Sequence, residues 1–554
     1  MSDTKYPVEK HSAINQDEEL DMDMNMNKSI SPSITKEQLH PHQSFMDSNS
    51  DTDVDNNSMG MTGNDRVLYE QLRIVNAAID EIGLTAYHWK LFCLNGMGYA
   101  TDSLLILLQS LTLKSVQKEF NNDFPASTMA LYGGAFLGAV FWGFSADIIG
   151  RKFAFNTSLL LSGVFAMITA GMPNLGGYCA LIVLTIMGAG GNLILDTTVF
   201  LEFLPSSKQW MLTLLAFWWG IGQTVAVLVT WPLIKNYSCP DDAPVCLKKD
   251  NMGWRYCWIT LGGLVLVLAI LRVTVIRLVE TPKFNLCEGN IEQVVEDLHK
   301  IARDGGKEIS LSVEQLEACG RLDEDEAKAP KQRGAWFKQL FEHLHLLYAT
   351  RKLAISSSLL FLSWTIIGIC YPLYTAFLPF FLESRGAELG DGSVDTTYKN
   401  LAIANACSVA GPIIAAALLF IPPIPYGKGR KFTVGRRGAM CIGALLSMTF
   451  LFAYTAITNN AQNVAFSAVT NVTIFIYFGT LFAFTPEVLP SRCRATGNGI
   501  AIACTRIAGI FAPLIAYFGD TSSSVPIYVC AGCFAGLGLI CFFYPFEPAE
   551  TRAM

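Results

Sequence analysis

The chain has 554 residues, 51% hydrophobic and only 16% charged, with a formal net charge of -7 and a mean hydropathy of +0.35. Soluble domains carry about 25% charged residues, so this composition excludes an ordinary soluble protein and points to a membrane protein. The acid is gathered in one tail, thirteen Asp or Glu against four Lys or Arg in residues 1–65, so the net charge gives no reason to expect nucleic acid as a partner.

Residues 1–65 are rich in Asp, Asn, Ser and Met and lack the apolar core of a cleavable signal, which predicts a disordered acidic cytoplasmic tail. In 66–88, Val67, Leu68, Leu72, Val75, Ile79 and Ile82 recur at helical spacing among charges, the pattern of an amphipathic helix lying at a membrane surface. Twelve apolar runs then meet the requirement of about 20 residues per membrane crossing: 89–111, 127–147, 153–173, 178–202, 210–234, 254–277, 353–380, 400–421, 438–457, 464–485, 498–518 and 525–545. They fall into two six-span halves, 89–279 and 351–545. A charged, partly helical linker over 280–350 joins them, and 546–554 form a short cytoplasmic tail. The predicted fold class is an all-α polytopic membrane protein of twelve transmembrane helices in two parallel six-helix repeats.

The repeat is visible in the residues. Gly150-Arg151-Lys152 after span 2 returns as Gly435-Arg436-Arg437 after span 8, and Glu202-Phe-Leu-Pro-Ser returns as Glu487-Val-Leu-Pro-Ser, both 285 residues on. Two matches at one offset indicate an internal duplication, and because both pairs lie beside hydrophobic spans it is the duplication of a membrane bundle, with the two halves in the same orientation.

Basic residues in the short loops are split nearly evenly, so the charged linker decides the orientation and places itself and both termini in the cytoplasm. The loop after span 5 is then external. It holds the sequon Asn236-Tyr237-Ser238 and the candidate disulfide partners Cys239 and Cys246, both features that belong outside the cytosol.

The segment Gly143-Phe-Ser-Ala-Asp147-Ile-Ile-Gly150-Arg151-Lys152, its degenerate second copy and the six-plus-six spans resemble the major facilitator superfamily. Asn192 to Asp196 running into Phe200-Leu-Glu202-Phe-Leu-Pro205, then Met252-Gly-Trp254-Arg255, Glu280-Thr-Pro282-Lys283-Phe and Tyr371-Pro372-Leu-Tyr374 resemble a fungal, sugar-transporter-like group. That group is related to the synaptic-vesicle-protein-like and organic-ion transporter branches. The resemblance implies a symporter moving a small polar organic solute between inward-facing and outward-facing states, with protons as second partner and the chain a monomer in the bilayer. An organic anion or carboxylate stands ahead of a sugar or polyol. Three departures from the wider pattern bear on this: Val183-Leu184-Thr185 stand where an arginine is usual in span 4, the sugar-porter Pro-Glu-Ser-Pro-Arg is reduced to Glu280-Thr281-Pro282-Lys283, and span 7 lacks paired glutamines. A non-transporting sensor on the same fold is the alternative class.

The loop charges also have a direct physical reading. Asp147, Arg151 and Lys152 around the turn at Gly150 are placed to lock onto Glu202 and onto the positive end of a helix from the other half. Together with Gly435, Arg436, Arg437, Glu487 and Arg494, they form a candidate cytoplasmic gate, asymmetric because Phe432 replaces the aspartate in the second copy. The plainer reading is topological anchoring by interfacial basic residues.

Ionisable residues at depth point to a substrate or proton path, since a charge at a helix centre costs about 2.5–3.5 kcal/mol on insertion scales. Asp102 lies about 20 Å into span 1 and Arg506 about 12 Å into span 11 from the same face, with Asp196 deep in span 4. Asp102 and Asp196 are candidate proton carriers and Arg506 a candidate anion anchor; a structural Asp102–Arg506 pair is the alternative. Asn95, Asn192, Gln223, Asn405 and Asn471 are expected as polar contacts, and Trp218, Trp219, Tyr371, Tyr374 and Tyr477 as aromatic walls. Pro372 is expected to kink or break span 7. No metal or cofactor is expected, because Cys530 and Cys533 have no further ligands nearby, and no nucleophile, base and oxyanion set suggests an enzyme.

Overall fold

The computed structural model describes residues 63–240, 246–274, 279–320, 335–384, 394–422, 424–426, 430–490, 493–518, 525–545 and 547. Residues 1–62 of the expected acidic tail, residues 321–334 of the linker and nearly all of the short C-terminal tail lie outside them, and 63–65 of that acidic tail belong to a helix.

Twelve helices are long and apolar enough to cross a bilayer. Spans 1 to 6 run over Ala86–Phe120, Ala126–Ala146, Arg151–Thr169, Leu175–Phe203, Ser206–Tyr237 and Gly253–Thr274. Spans 7 to 12 run over Arg351–Tyr374, Val394–Leu418, Gly435–Tyr454, Asn460–Val488, Arg494–Ile515 and Val525–Phe543. Even-numbered spans end, and odd-numbered ones begin, at the face that bears the linker; the disulfide lies at the opposite face. The turn into span 3 is made by Gly150 at φ 99° and the turn into span 9 by Gly435 at φ 50°. Positive φ at both copies explains why glycine stands there. Between spans 8 and 9, Ile424–Tyr426 pairs antiparallel with Arg430–Phe432.

Three local features differ from the sequence expectation. Span 7 belongs to one helix running from Arg351 to Ser384, so Pro372 does not break it. Span 4 instead has its break at Gly190-Gly191, between Leu175–Ala189 and Asn192–Phe203. A Cβ on Gly191 would sit 2.5 Å from the Trp142 ring, so the bare backbone there admits the tryptophan of span 2.

The helix Gly63–Ile82 is amphipathic as its spacing implies, but its stripe is covered by protein. Val75, Ile79 and Ile82 are buried in one cluster with Val294, Leu298 and Ile301 of the linker helix Ile291–Asp304. Gln71 Nε2 donates to the carbonyls of Leu316 and Gly320 at 3.2 and 3.0 Å, and Lys307 Nζ donates to the Ile82 carbonyl at 2.6 Å. Sequence periodicity reports an apolar face without saying whether lipid or protein covers it.

Candidate functional site

A cavity lies between the halves. From the first half it is lined by residues that include Tyr132, Ala216, Trp219 and Gln223, and from the second by Trp364, Tyr371, Phe478, Phe482, Thr505 and Arg506 among others. Its volume is about 80 Å³. One water needs about 10–15 Å³, so the space takes a molecule the size of several waters, such as one substituted ring.

The wall is aromatic. Phe478 and Phe482 stand one turn apart on span 10 with rings stacked at 5.9 Å and 21°. Trp364 packs edge-on against Phe482 at 4.8 Å, Trp219 tilts against it at 6.0 Å, and Tyr371 meets Phe478 edge-on at 5.5 Å. Two polar groups on the wall already donate to protein acceptors: Trp364 Nε1 to Thr485 Oγ1 at 2.9 Å, and Thr505 Oγ1 to the Trp364 carbonyl at 2.8 Å.

Arg506 supplies the cavity's positive charge. Its Nη2 reaches Asp102 Oδ2 at 3.4 Å, with the aspartate side chain fully buried. Neither group is saturated: Arg506 Nε and Asp102 Oδ1 are buried without hydrogen-bond partners among the described residues. The contact joins span 11 to span 1 and so crosses from one half to the other.

Of the expected path residues, Gln223, Tyr371 and Arg506 line the cavity, with Asp102 directly behind the arginine. The others are held elsewhere. Asp196 Oδ1 accepts from Arg272 Nη2 at 2.7 Å, both side chains fully buried. The same guanidinium donates to the Phe155 and Leu94 carbonyls and to Asn192 Oδ1, and lies 3.6 Å over the Phe155 ring. Asn192 Oδ1 also accepts from Ser158, so Asp196 and Asn192 belong to a buried network inside the first half. Asn95 and Asn405 donate to carbonyls of their own helices. Trp218 packs against Phe92, and Tyr374 and Tyr477 pack against Tyr454 and Phe534.

Arg272 was not anticipated, because it falls near the end of an apolar run, where arginine ordinarily reaches back to the interface. Phe478 and Phe482 were missed because aromatic residues spaced one turn apart are usual in packed helices. Their i, i+4 spacing beside Trp219 and Trp364 was the available signal.

At the linker face, the two copies of the repeated motif build matching ion pairs. Arg151 Nη1 donates to Glu202, and Arg436 Nε and Nη2 donate to Glu487. Glu280 accepts the backbone N–H groups of Arg151 and Lys152 at 3.1–3.2 Å, and Glu547 accepts those of Arg436 and Arg437 at 2.7 and 3.2 Å. Each carboxylate thus caps the start of a span, where the helix dipole favours negative charge. Burial, the first cause, raises the Glu547 carboxyl above its ordinary range against the pull of these donors. The Arg437 side chain donates to the carbonyls of Cys541 and Phe542. The Asp147 side chain lies outside the described ones.

Several contacts cross between halves at this face. Arg494 Nη1 lies 3.6 Å from Glu202, Asn498 Nδ2 donates to Thr197 Oγ1 at 3.0 Å, and Arg436 Nη1 donates to Thr213. A Cβ on Gly143 would come within 2.8 Å of Gly499, so spans 2 and 11 touch through bare backbone. At the opposite face, Trp231 Nε1 donates to Asp395 at 2.7 Å, Lys235 pairs with the same carboxylate, and Tyr398 donates to the Leu111 carbonyl at 3.3 Å. Cys239 and Cys246 form a disulfide, and Asn236 is exposed. Contacts thus join the two halves at both faces.

A family model for the Major Facilitator Superfamily matches residues 91–513. Uncharacterized MFS-type transporter PB1E7.08c of Schizosaccharomyces pombe is 41% identical over 86% of this chain and 88% of its own length. MFS siderochrome iron transporter 1 of Ceriporiopsis subvermispora is 38% identical over 88% and 93%. The niacin transporter NiaP of Acinetobacter baylyi is 26% identical over 79% and 88%. Among solved structures, the proton:xylose symporter XylE superposes with a TM-score of 0.59 at 13% identity, covering 85% of this chain and 99% of that one; at that identity the likeness speaks for the fold. Two six-span halves around a central cavity, a family match over most of the length and relatives near 40% identity lead to one conclusion: the chain is a multi-pass membrane transporter that belongs to the Major Facilitator Superfamily.

Proposed function

We propose that the protein carries a small monocarboxylate with an aromatic ring by alternating access, together with a proton held on Asp102. The observation that carries this reading is Arg506 in an aromatic cavity, with Asp102 as its counterion. A guanidinium offers a planar fork that suits a carboxylate, and the Phe478, Phe482, Trp219 and Trp364 surfaces suit a flat ring. A sugar presents hydroxyls on every side and needs many polar partners, of which this wall has few. The named substrates of relatives are mixed, siderochrome iron in one and niacin in another. Niacin is itself a one-ring monocarboxylate, which agrees with the cavity chemistry.

Coupling follows from charge balance. In the empty carrier, Asp102 and Arg506 neutralise each other in a site where an uncompensated charge is expensive. A substrate carboxylate takes the Arg506 fork, and Asp102 takes a proton. The loaded site is again neutral. One proton then accompanies each monoanion and the cycle is electroneutral.

The linker face is proposed to be cytoplasmic, since the Asn236 sequon and the Cys239–Cys246 bridge lie at the other face, and the plasma membrane is the proposed location. The ion pairs on Glu202 and Glu487 act as the inner gate, and breaking the cross-half contacts lets the halves rock about the cavity.

The test is thermal stabilisation of the purified protein across benzoates, aliphatic carboxylates, sugars and polyols, with Arg506→Ala alongside. The reading expects stabilisation by ring-bearing carboxylates that the variant loses. Stabilisation by a sugar that survives the substitution would sink it and restore a sugar carrier, with Arg506 structural.

A further inference from the structure

Apart from Arg506, the cavity wall holds polar groups that the proposed cycle does not use, and Gln223 is the one among them with a bare acceptor. Gln223 of span 5 is 7% exposed, lines the cavity, and has its Oε1 buried without a hydrogen-bond partner among the described residues. The Tyr371 hydroxyl on the same wall bonds the Gln223 side chain, and Oε1 itself is still left without a partner. The Thr505 hydroxyl and the Trp364 indole donate to protein acceptors, so neither satisfies the Gln223 carbonyl. Buried side-chain oxygens are ordinarily paired, and one left bare beside a cavity marks where a ligand atom belongs.

The two unsatisfied groups are complementary in kind and sit on different halves. Arg506 Nε, on span 11, is a donor awaiting an acceptor; Gln223 Oε1, on span 5, is an acceptor awaiting a donor. A benzoate-like acid satisfies the first and leaves the second bare.

We infer that the cavity selects a ring acid that also carries a hydrogen-bond donor, a phenolic O–H or a ring N–H, which Gln223 Oε1 accepts while Arg506 holds the carboxylate. Gln223 is thus a specificity-determining residue. This rests on the aromatic-carboxylate reading above and refines it. A ligand bonded at both ends ties span 5 to span 11 and favours the closed cavity. The selection is sharp for a physical reason: a site built to accept a hydrogen bond keeps a bare buried carbonyl when the wrong ligand enters. A loss of roughly ten- to a hundredfold in affinity follows for an acid without the donor.

The experiment compares dissociation constants for benzoate, 3-hydroxybenzoate, 4-hydroxybenzoate and 4-methoxybenzoate on the full-length protein and on Gln223→Met, with Arg506→Lys as control. The expected result is that one hydroxybenzoate binds the native protein at least about tenfold tighter than benzoate or the methoxy acid. The methoxy group has similar bulk but cannot donate. In Gln223→Met the preference collapses to within about twofold. Equal binding of all four acids by the native protein overturns the inference, and so does a preference that persists in Gln223→Met. Tight binding of the methoxy acid overturns it too, because the glutamine would then be offering its amide N–H. In each of these cases, an affinity that still falls in Arg506→Lys leaves the carboxylate reading standing. No binding of any acid, or indifference to Arg506→Lys, defeats that reading and this inference with it. The comparison within the native protein decides the matter even where Gln223→Met fails to fold.

Discussion

Arg506 and Asp102 meet across the boundary between the two halves at 3.4 Å, through one oxygen and one nitrogen. The contact is long and single where a guanidinium can make two short parallel bonds. A pair held this loosely neutralises the empty cavity and is readily exchanged for another carboxylate.

Asp102→Asn tests that exchange. The variant's loaded state is neutral, but its empty state carries the Arg506 charge without a counterion, so return of the empty carrier slows. In proteoliposomes, pH-driven accumulation should fall by about tenfold or more, the equivalent of about 1.4 kcal/mol, while exchange of internal for external substrate continues. Accumulation that still follows the pH gradient removes Asp102 from the proton path.

The Arg272–Asp196 pair is proposed to hold the first half together. Removing either partner leaves a buried charge, which costs about 3–5 kcal/mol, so Arg272→Met and Asp196→Leu should each lower the unfolding temperature sharply. The double variant should recover most of the loss and keep pH-driven uptake. Gly98→Ala is a second probe, because a Cβ there would lie 1.7 Å from Asp196 Oδ2. A stable double variant that has lost its proton dependence would instead return Asp196 to the coupling path.

Glu202 holds Arg151 from its own half and faces Arg494 from the other. Glu202→Gln weakens both, and Gly499→Leu wedges spans 2 and 11 apart where Gly143 leaves no room. Each should raise the rate at which a cysteine placed at Thr197 reacts with a polar thiol reagent, by about tenfold for about 1.4 kcal/mol of shift toward the open inner face. Unchanged reactivity in both variants would mean that these contacts do not hold the inner face shut.

Lys283 gives a pH signature outside the membrane-spanning helices. Burial, reinforced by the nearby positive charges of Arg494 and Arg151, holds its ammonium well below the usual lysine range, with Cys287 and Asp80 offsetting this only in part. The folded chain therefore binds this proton less tightly than the unfolded chain. Stability from this residue should rise with pH from the depressed folded value toward the unfolded value of about 10.4. Lys283→Met should be more stable at pH 7 and should lose that rise; unfolding temperatures at pH 7 and 9.5 check both, and a variant less stable at pH 7 counts against the buried-cation account.

The sequence by itself determined the architecture. Apolar runs of membrane length admit no other fold for most of the chain, because a bilayer requires each backbone to satisfy its own hydrogen bonds in a helix. The duplication was equally plain, since Gly150 and Gly435 occupy turns with positive φ and a repeat preserves such glycines. Arg506 and Asp102 stood out because charge at depth is rare enough to be noticed in one dimension.

Only the tertiary structure decided which buried groups face a ligand and which face one another. Asp102 and Asp196 look alike in sequence, each an acid within an apolar run, yet one backs the cavity arginine and the other is tied to Arg272. Gln223 became informative through the lack of a partner for its carbonyl, and Phe482 through its ring neighbours on spans 5 and 7. Helical periodicity reports the direction a side chain leaves its own helix. The identity of what it meets depends on how helices distant in sequence are packed, and that information is not local.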